Sequence, residues 1–390
     1  MRNTSVVVDL EISKPLPPHT DLSRYRAAQV LVRLHGRPLA VISTPVTQGQ
    51  LDLDALFRTL LERHGWALSA QLAERAMALG TPPAWPEVAQ LLECRPNPLN
   101  CTPPVTVVVR STGRHERRRA AALEAARALE YPRLEVRVMP QHATLAEMAA
   151  ESSGEILVVT DERVTLDPGW VGAAVRVFIG DPEVMAVAGL ILPRETAGRL
   201  AASLSSALTR RWHRAPLSTL HGTFDDTSAP SVVAYWRPAL ETPAPGLHTV
   251  VYEPAALAWH RSRTVVDPFP APAPSSASPV VRAVELGDTP RSIADATADH
   301  IMRLEVAWEG RRLGAVHIRH EGAILSPFRI QDAIARTLAA ELLDARLRLG
   351  RTAIRAIVTA ELARHVARVG RSDAQGAACP QWRASRPAAA

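Results

Sequence analysis

Val105-Thr106-Val107-Val108-Val109-Arg110 and, further on, Gly154-Glu155-Ile156-Leu157-Val158-Val159-Thr160-Asp161 are the stretches that decide the fold. Each is a continuous apolar run closed by a charged residue, the pattern of a strand buried on both faces. Between them, Glu116 to Leu129 is rich in Ala, Arg and Leu and reads as a helix. Tyr131-Pro132 follows, where proline stops a helix at the preceding residue. Leu134 to Met139 reads as a second strand and Leu145 to Ser152 as a second helix. The order strand, helix, strand, helix, strand predicts an α/β domain with a doubly wound central sheet. Ligands of such sheets sit at the carboxyl ends of the strands. Thr112, Met139-Pro140 and Asp161 are therefore expected along one edge.

Outward from this centre the pattern changes on both sides. Val30, Val32 and Leu34 alternate, Gly36-Arg37-Pro38 reads as a turn, and Leu39 to Ser43 as the return strand. Leu53, Leu56, Phe57, Leu60 and Leu61 then form a helical stripe. Near the other end Leu304, Val306 and Trp308 alternate, a turn follows, and Ile330 to Leu343 is helical. His35-Gly36-Arg37-Pro38-Leu39-Ala40 matches Glu309-Gly310-Arg311-Arg312-Leu313-Gly314. Two readings are open: chance likeness between short amphipathic units, or internal duplication of a hairpin-plus-helix (α+β) module. The shared Gly-Arg-x-Leu turn favours duplication. Two copies are too few for a solenoid. They are expected to pack on each other, across a dimer, or beside the centre, burying Val30 and Val32 in one and Leu304 and Val306 in the other.

The resulting organisation has a flexible arm (1–22), an N-terminal module (23–100) and a central domain (101–266). A Pro-rich linker (267–285), a C-terminal module repeating the first (286–370) and a disordered tail (371–390) follow.

Composition narrows the function classes. The chain has 390 residues, 47% hydrophobic and 22% charged, which suits a globular multidomain protein. There is no apolar run long enough to span a bilayer, and Met1 to Thr20 lacks the basic-then-apolar pattern of a signal peptide, so a cytoplasmic location is expected. The formal net charge is +6. Lys14 is the only lysine, and the arginines are interspersed with acids, which reads as coding bias in a GC-rich bacterial genome rather than as a nucleic-acid surface. Cys94, Cys101 and Cys379 give neither a disulfide framework nor a zinc set.

Several central segments, taken in order, resemble a family 2 glycosyltransferase. They are the strand Val105–Arg110 followed by Thr112, Arg114 and Glu116, then Tyr131-Pro132, then the strand ending at Asp161. Asp167-Pro168-Gly169-Trp170, Asp181-Pro182-Glu183-Val184 and the late strand Val251 to Arg261 with His260 complete the set. The likeness covers roughly Pro104 to Val265, and the N-terminal module resembles an extension of some bacterial members. It implies a GT-A fold, a nucleotide-diphosphate sugar as donor, a divalent metal (Mn or Mg), and a carboxylate base that activates the acceptor hydroxyl.

Residue by residue, the resemblance implies donor contacts from Arg110, Thr112, Arg114, Asp161 and Arg163, and metal ligands at Asp161 and His260. The chain departs from the family pattern in four places, one of them at Leu145 and Ala146, which lack the polar side chains of the family's motif before the Gly-Glu strand. The acidic triplet reads Asp161-Glu162-Arg163, and its arginine either neutralises diphosphate directly or is a solvated loop residue. Met139-Pro140-Gln141 lacks the carboxylate that meets the nucleotide. After Ala234 to Leu240 the segment bearing the base is missing, which leaves Asp225 and Asp226 as the nearby carboxylate pair, either a base by convergence or a solvated loop. Two functions follow as expectations: sugar transfer from a nucleotide-sugar with an impaired site, or a non-catalytic relative that binds a protein partner. A homodimer through the flanking modules is compatible with either. A polyanion binder, suggested by arginine content alone, is a third reading.

Overall fold

The computed structural model describes residues 5–14, 21–79, 99, 101–111, 115–140, 143–196, 200, 204, 214–216, 232–241, 249–260, 279–286, 292–293, 301–319, 324–347 and 351–372.

The first unit begins with β1 (Ser5–Glu11), which runs parallel to β2 (Ala27–Leu34). β2 turns back into β3 (Arg37–Thr47), and the short β4 (Gln50–Leu51) leads into helix α1 (Leu53–Leu79). His35 and Gly36 both take positive φ, 53° and 80°, as a two-residue hairpin turn requires. The Glu11 carboxylate holds this turn, accepting from His35 N–H at 2.9 Å and Gly36 N–H at 2.7 Å.

The central unit comprises β5 (Val105–Arg110), α2 (Glu116–Arg127), β6 (Leu134–Met139), α3 (Leu145–Glu151) and β7 (Ile156–Asp161). It continues through β8 (Val164–Leu166), α4 (Trp170–Gly180), β9 (Ala186–Pro193), β10 (Glu195–Thr196), β11 (Arg214–Pro216), β12 (Val232–Trp236), α5 (Pro238–Glu241) and β13 (Thr249–His260). β5 is parallel to both β6 and β7, as the sequence predicts. Thr144 caps α3 with a reciprocal Thr144–Glu147 box.

The final unit has β14 (Val280–Glu285) parallel to β15 (Ile301–Trp308), which turns back into β16 (Arg311–Arg319). Three helices follow: α6 (Pro327–Thr337), α7 (Ala339–Leu347) and α8 (Arg351–Ser372). Ser326 caps α6, and Pro327 stands at its start, where a missing N–H costs nothing. The single helix expected over Ile330 to Leu343 is two helices that meet at Leu338.

The expectation of one doubly wound GT-A-like sheet flanked by two duplicated modules is corrected by the strand topology. The described strands form three separate sheets, ordered β10-β1-β2-β3-β4, β11-β13-β9-β12-β7-β5-β6 with β8 beside β13, and β14-β15-β16. Three separate sheets are not the single-sheet layout of a GT-A domain. The central sheet is also mixed: β12 lies antiparallel between β7 and β9. A long apolar run fits a buried strand of either direction, so the sequence left strand sense open.

Two further boundaries differ from the sequence reading. Ser5–Glu11, expected as flexible arm, is β1, and Val280–Glu285, expected as the end of the linker, is β14. Both are short alternating runs whose pairing partners lie elsewhere in the chain.

The N-terminal sheet is sandwiched. One face packs on α1 and, through Ala339, Leu343, Val358 and Leu362, on the C-terminal helices. His365 Nε2 reaches Ile12 O at 2.8 Å in the same contact. The other face meets the central unit through Val7, Leu31 and Val41. Val30 and Val32 are thus buried in the cluster that this sheet forms with α1, α7 and α8, while Leu304 and Val306 lie in a cluster of their own with α6.

Candidate functional site

Parallel register sets Arg110 and Asp161 side by side at the carboxyl ends of β5 and β7. Chain continuity then places Ser111, Glu162 and Arg163 at the same edge. Asp161 and Glu162 are both buried, and so each needs partners. Arg163 grips Asp161 as a fork, Nε to Oδ1 at 2.8 Å and Nη2 to Oδ2 at 2.9 Å, and its backbone N–H donates to Oδ1 at 2.8 Å. The Arg110 guanidinium also approaches Asp161 Oδ2, at 3.9 Å. Glu162 accepts from Ser111 Oγ at 2.6 Å, and its backbone N–H donates to Arg110 O at 3.0 Å.

Two more groups face this cluster. His260 ends β13, opposite Val164 of β8 and Pro193 of β9, and is buried. Burial lowers its pKa, the Arg163 charge lowers it further, and Asp161 opposes both, so His260 is neutral at neutral pH. Tyr235, in β12, is fully buried. Burial pushes its phenol far up and the nearby Arg110 charge offsets this in part, so it stays protonated.

Of the residues expected from sequence, the structure brings Arg110, Asp161, Arg163 and His260 together. Thr112, Arg114, Asp225 and Asp226 lie outside the described residues. Arg117 and Arg118, at the start of α2, are exposed. Ser111, Glu162 and Tyr235 belong to the cluster and were not singled out by sequence. Glu162 stood within the acidic triplet, but its Ser111 partner is set by the pairing of β5 with β7, which no local pattern reveals.

The donor set does not suit a metal. Among the described residues no group of three or more His, Cys, Asp or Glu side chains is placed to hold one. Asp161 already has both oxygens engaged by Arg163, and two guanidinium groups beside it repel a dication. The expected divalent metal at Asp161 and His260 has no fit here. What the arrangement offers instead is fixed positive charge at a strand edge. Guanidinium forks match phosphate oxygens as well as carboxylates.

A second buried charge cluster holds the N-terminal sheet to this unit. Arg33 of β2 pairs with Asp9 of β1, Nε to Oδ1 at 2.7 Å, and with Asp167, which precedes α4, at 3.1 Å. Burial opposes the Arg33 charge, but Asp167, Asp9 and Glu11 outweigh it, so Arg33 stays charged. Asp167 Oδ1 also accepts from Gly169 N–H at 3.1 Å. Gly189 of β9 fits the bulge of β13 beside this loop: a Cβ there would lie 2.1 Å from Ala256 O and 2.7 Å from Trp170 Nε1.

No protein-family model matches the chain, and no curated protein does. Solved structures align over part of it. A mannosyltransferase from Pyrobaculum calidifontis, in complex with GDP-mannose and Mn2+, is 15% identical, with 53% of this chain and 67% of that one covered at a TM-score of 0.28. Glucosyl-3-phosphoglycerate synthase from Mycobacterium tuberculosis, in complex with Mn2+, UDP and phosphoglyceric acid, is also 15% identical, with 42% and 72% covered and a TM-score of 0.25. Overlaps this slight do not place the chain in family 2, and the strand topology corrects the GT-A assignment that came with it. Among the described residues no helix is long and apolar enough to cross a membrane.

Proposed function

We propose that this protein binds a nucleotide-diphosphate sugar and serves sugar transfer in a general sense, with arginine in place of metal at the diphosphate. One observation carries the reading: Arg110 and Arg163 converge on a single buried carboxylate at the carboxyl edge of β5 and β7. A diphosphate entering this edge competes with Asp161 for the Arg163 fork, and the two guanidinium groups neutralise it without a dication. Neutral His260 and protonated Tyr235 add no charge that would resist an anion. The described residues supply no free carboxylate at this edge to activate an acceptor, since Asp161 and Glu162 are both engaged.

That engagement favours a second reading, in which the protein binds the nucleotide without turning it over and acts as a partner of another protein. Both readings are tested by calorimetric titration with UDP, GDP, UDP-glucose and GDP-mannose, with manganese and with a chelator. The expected result is binding unchanged by chelation and weakened about tenfold or more by Arg163→Gln, a loss of about 1.4 kcal/mol. No binding of any nucleotide refutes both. Binding that requires manganese refutes the arginine role. Release of UDP from UDP-glucose on prolonged incubation separates turnover from binding alone.

A further inference from the structure

We propose that the outer edge of β14 is a dimerisation edge, which pairs antiparallel with β14 of a second copy of this chain, centred on Val281.

The argument starts from two sheets with matching registers. β1 runs parallel to β2 with Val6 opposite Ala28, and β14 runs parallel to β15 with Val280 opposite Met302. β2 and β15 each turn back into an antiparallel partner, with a register shift at Val32/Arg33 in one and Val306/Ala307 in the other. His35-Gly36 and Glu309-Gly310 take positive φ at the two turns. Position by position, Val7 of β1 corresponds to Val281 of β14.

The two sheets differ at one edge. The outer edge of β1 is closed by β10, antiparallel, with Val6 opposite Glu195 and Val7 N–H donating to Arg194 O at 2.9 Å. The outer edge of β14 has no strand beside it among the described residues. By the same register, the N–H and C=O groups of Val281 and Ala283 point outward along that edge. Val281 is 54% exposed, the most exposed large hydrophobic among the described residues. An open edge with an apolar residue at its centre is a template for pairing.

A second copy fits this edge better than an arbitrary strand. With a two-fold axis at Val281, each Val281 packs on its mate. Val280 then faces Arg282 of the other chain, and Ala283 faces Pro279. No like charges meet, and proline stands where β14 begins. Each Val281 gains a reciprocal pair of backbone hydrogen bonds. Arg282, whose Nη1 now donates to the Val281 carbonyl of its own chain at 3.1 Å, gives way to the partner's N–H. Two three-stranded sheets become one of six strands, which closes the edge as β10 closes β1.

The test is sedimentation velocity on the full-length chain over a range of concentrations, beside Ala283→Pro and Val281→Lys. The backbone N–H of neither substituted residue points to β15, so circular dichroism should show folded variants. The expected result is a concentration-dependent dimer whose dissociation constant rises about tenfold or more in both variants. Val281→Cys, with Cys94, Cys101 and Cys379 changed to serine, should form a covalent dimer under mild oxidation, because opposed residues of an antiparallel pair lie within disulfide reach. His317→Cys in the same background should not. A full-length chain that stays monomeric at every concentration overturns the proposal. So does a dimer unmoved by both variants and not trapped by oxidation of the Val281→Cys chain.

Discussion

Replacing Arg33 by methionine keeps the aliphatic stem and removes the charge that two carboxylates share. Arg33 side-chain exposure is 10%, with Asp167 at 12% and Asp9 at 23%. The variant therefore leaves two largely buried carboxylates facing each other with no cation. Breaking a buried ion pair in this way costs about 3–5 kcal/mol, and the partial exposure of Asp9 puts the expected loss toward the lower end of that range. The cluster ties β1 and β2 to the loop before α4, so the loss should fall on the docking of the N-terminal sheet against the centre. Urea unfolding followed by tryptophan fluorescence reads it, because Trp170 sits at the start of α4 in the central core. A single charge removal differs from a loss of packing in one respect. The triple variant Arg33→Met, Asp9→Asn, Asp167→Asn should recover most of the stability, since it leaves no unpaired charge. If Arg33→Met alone shifts stability by less than about 1 kcal/mol, the cluster is an ordinary surface ion pair and the docking argument fails.

Two other perturbations test the central unit. Gly189→Ala puts a Cβ against the Ala256 carbonyl at 2.1 Å, backbone that cannot swing away, and should cost about 1–3 kcal/mol or more in a urea titration; an unchanged midpoint would mean that the β13 bulge relaxes freely. His260 has a folded pKa below its ordinary 6.5, so the unfolded chain takes up a proton that the folded chain refuses. Its contribution is intact above about pH 6.5 and is lost as the pH falls from there toward the folded pKa. His260→Gln should flatten the stability profile in that window, and an unaltered profile would show that His260 is not held neutral.

The pattern of residues 105–161 was enough to place β5, α2, β6, α3 and β7 in order, because long apolar runs and a helix stopped by Tyr131-Pro132 are local signals. The two hairpins are legible for the same reason: a glycine between two alternating apolar runs supplies the positive φ that a tight turn needs. The ends of these elements were harder. β1 and β14 are short runs that look like arm and linker until β2 and β15 pair with them. The Asp161-Glu162-Arg163 triplet drew attention by its composition. Composition alone allows two roles for Arg163, and the geometry gives a third: it neutralises a carboxylate of its own chain.

By itself the sequence determined the order β5, α2, β6, α3, β7 and the two hairpins, since period, proline and glycine act within a few residues. Only the tertiary structure decided how those segments divide among sheets and in which sense they run. Apolar runs carry no direction, and β12 enters antiparallel between two strands from distant parts of the chain. The site follows the same division. Arg110, Asp161 and His260 come from three strands, and their meeting depends on register across a sheet. Whether a buried aspartate is free to take a metal depends on what else is close to it. Here two arginines are, and that proximity is a property of the folded chain alone.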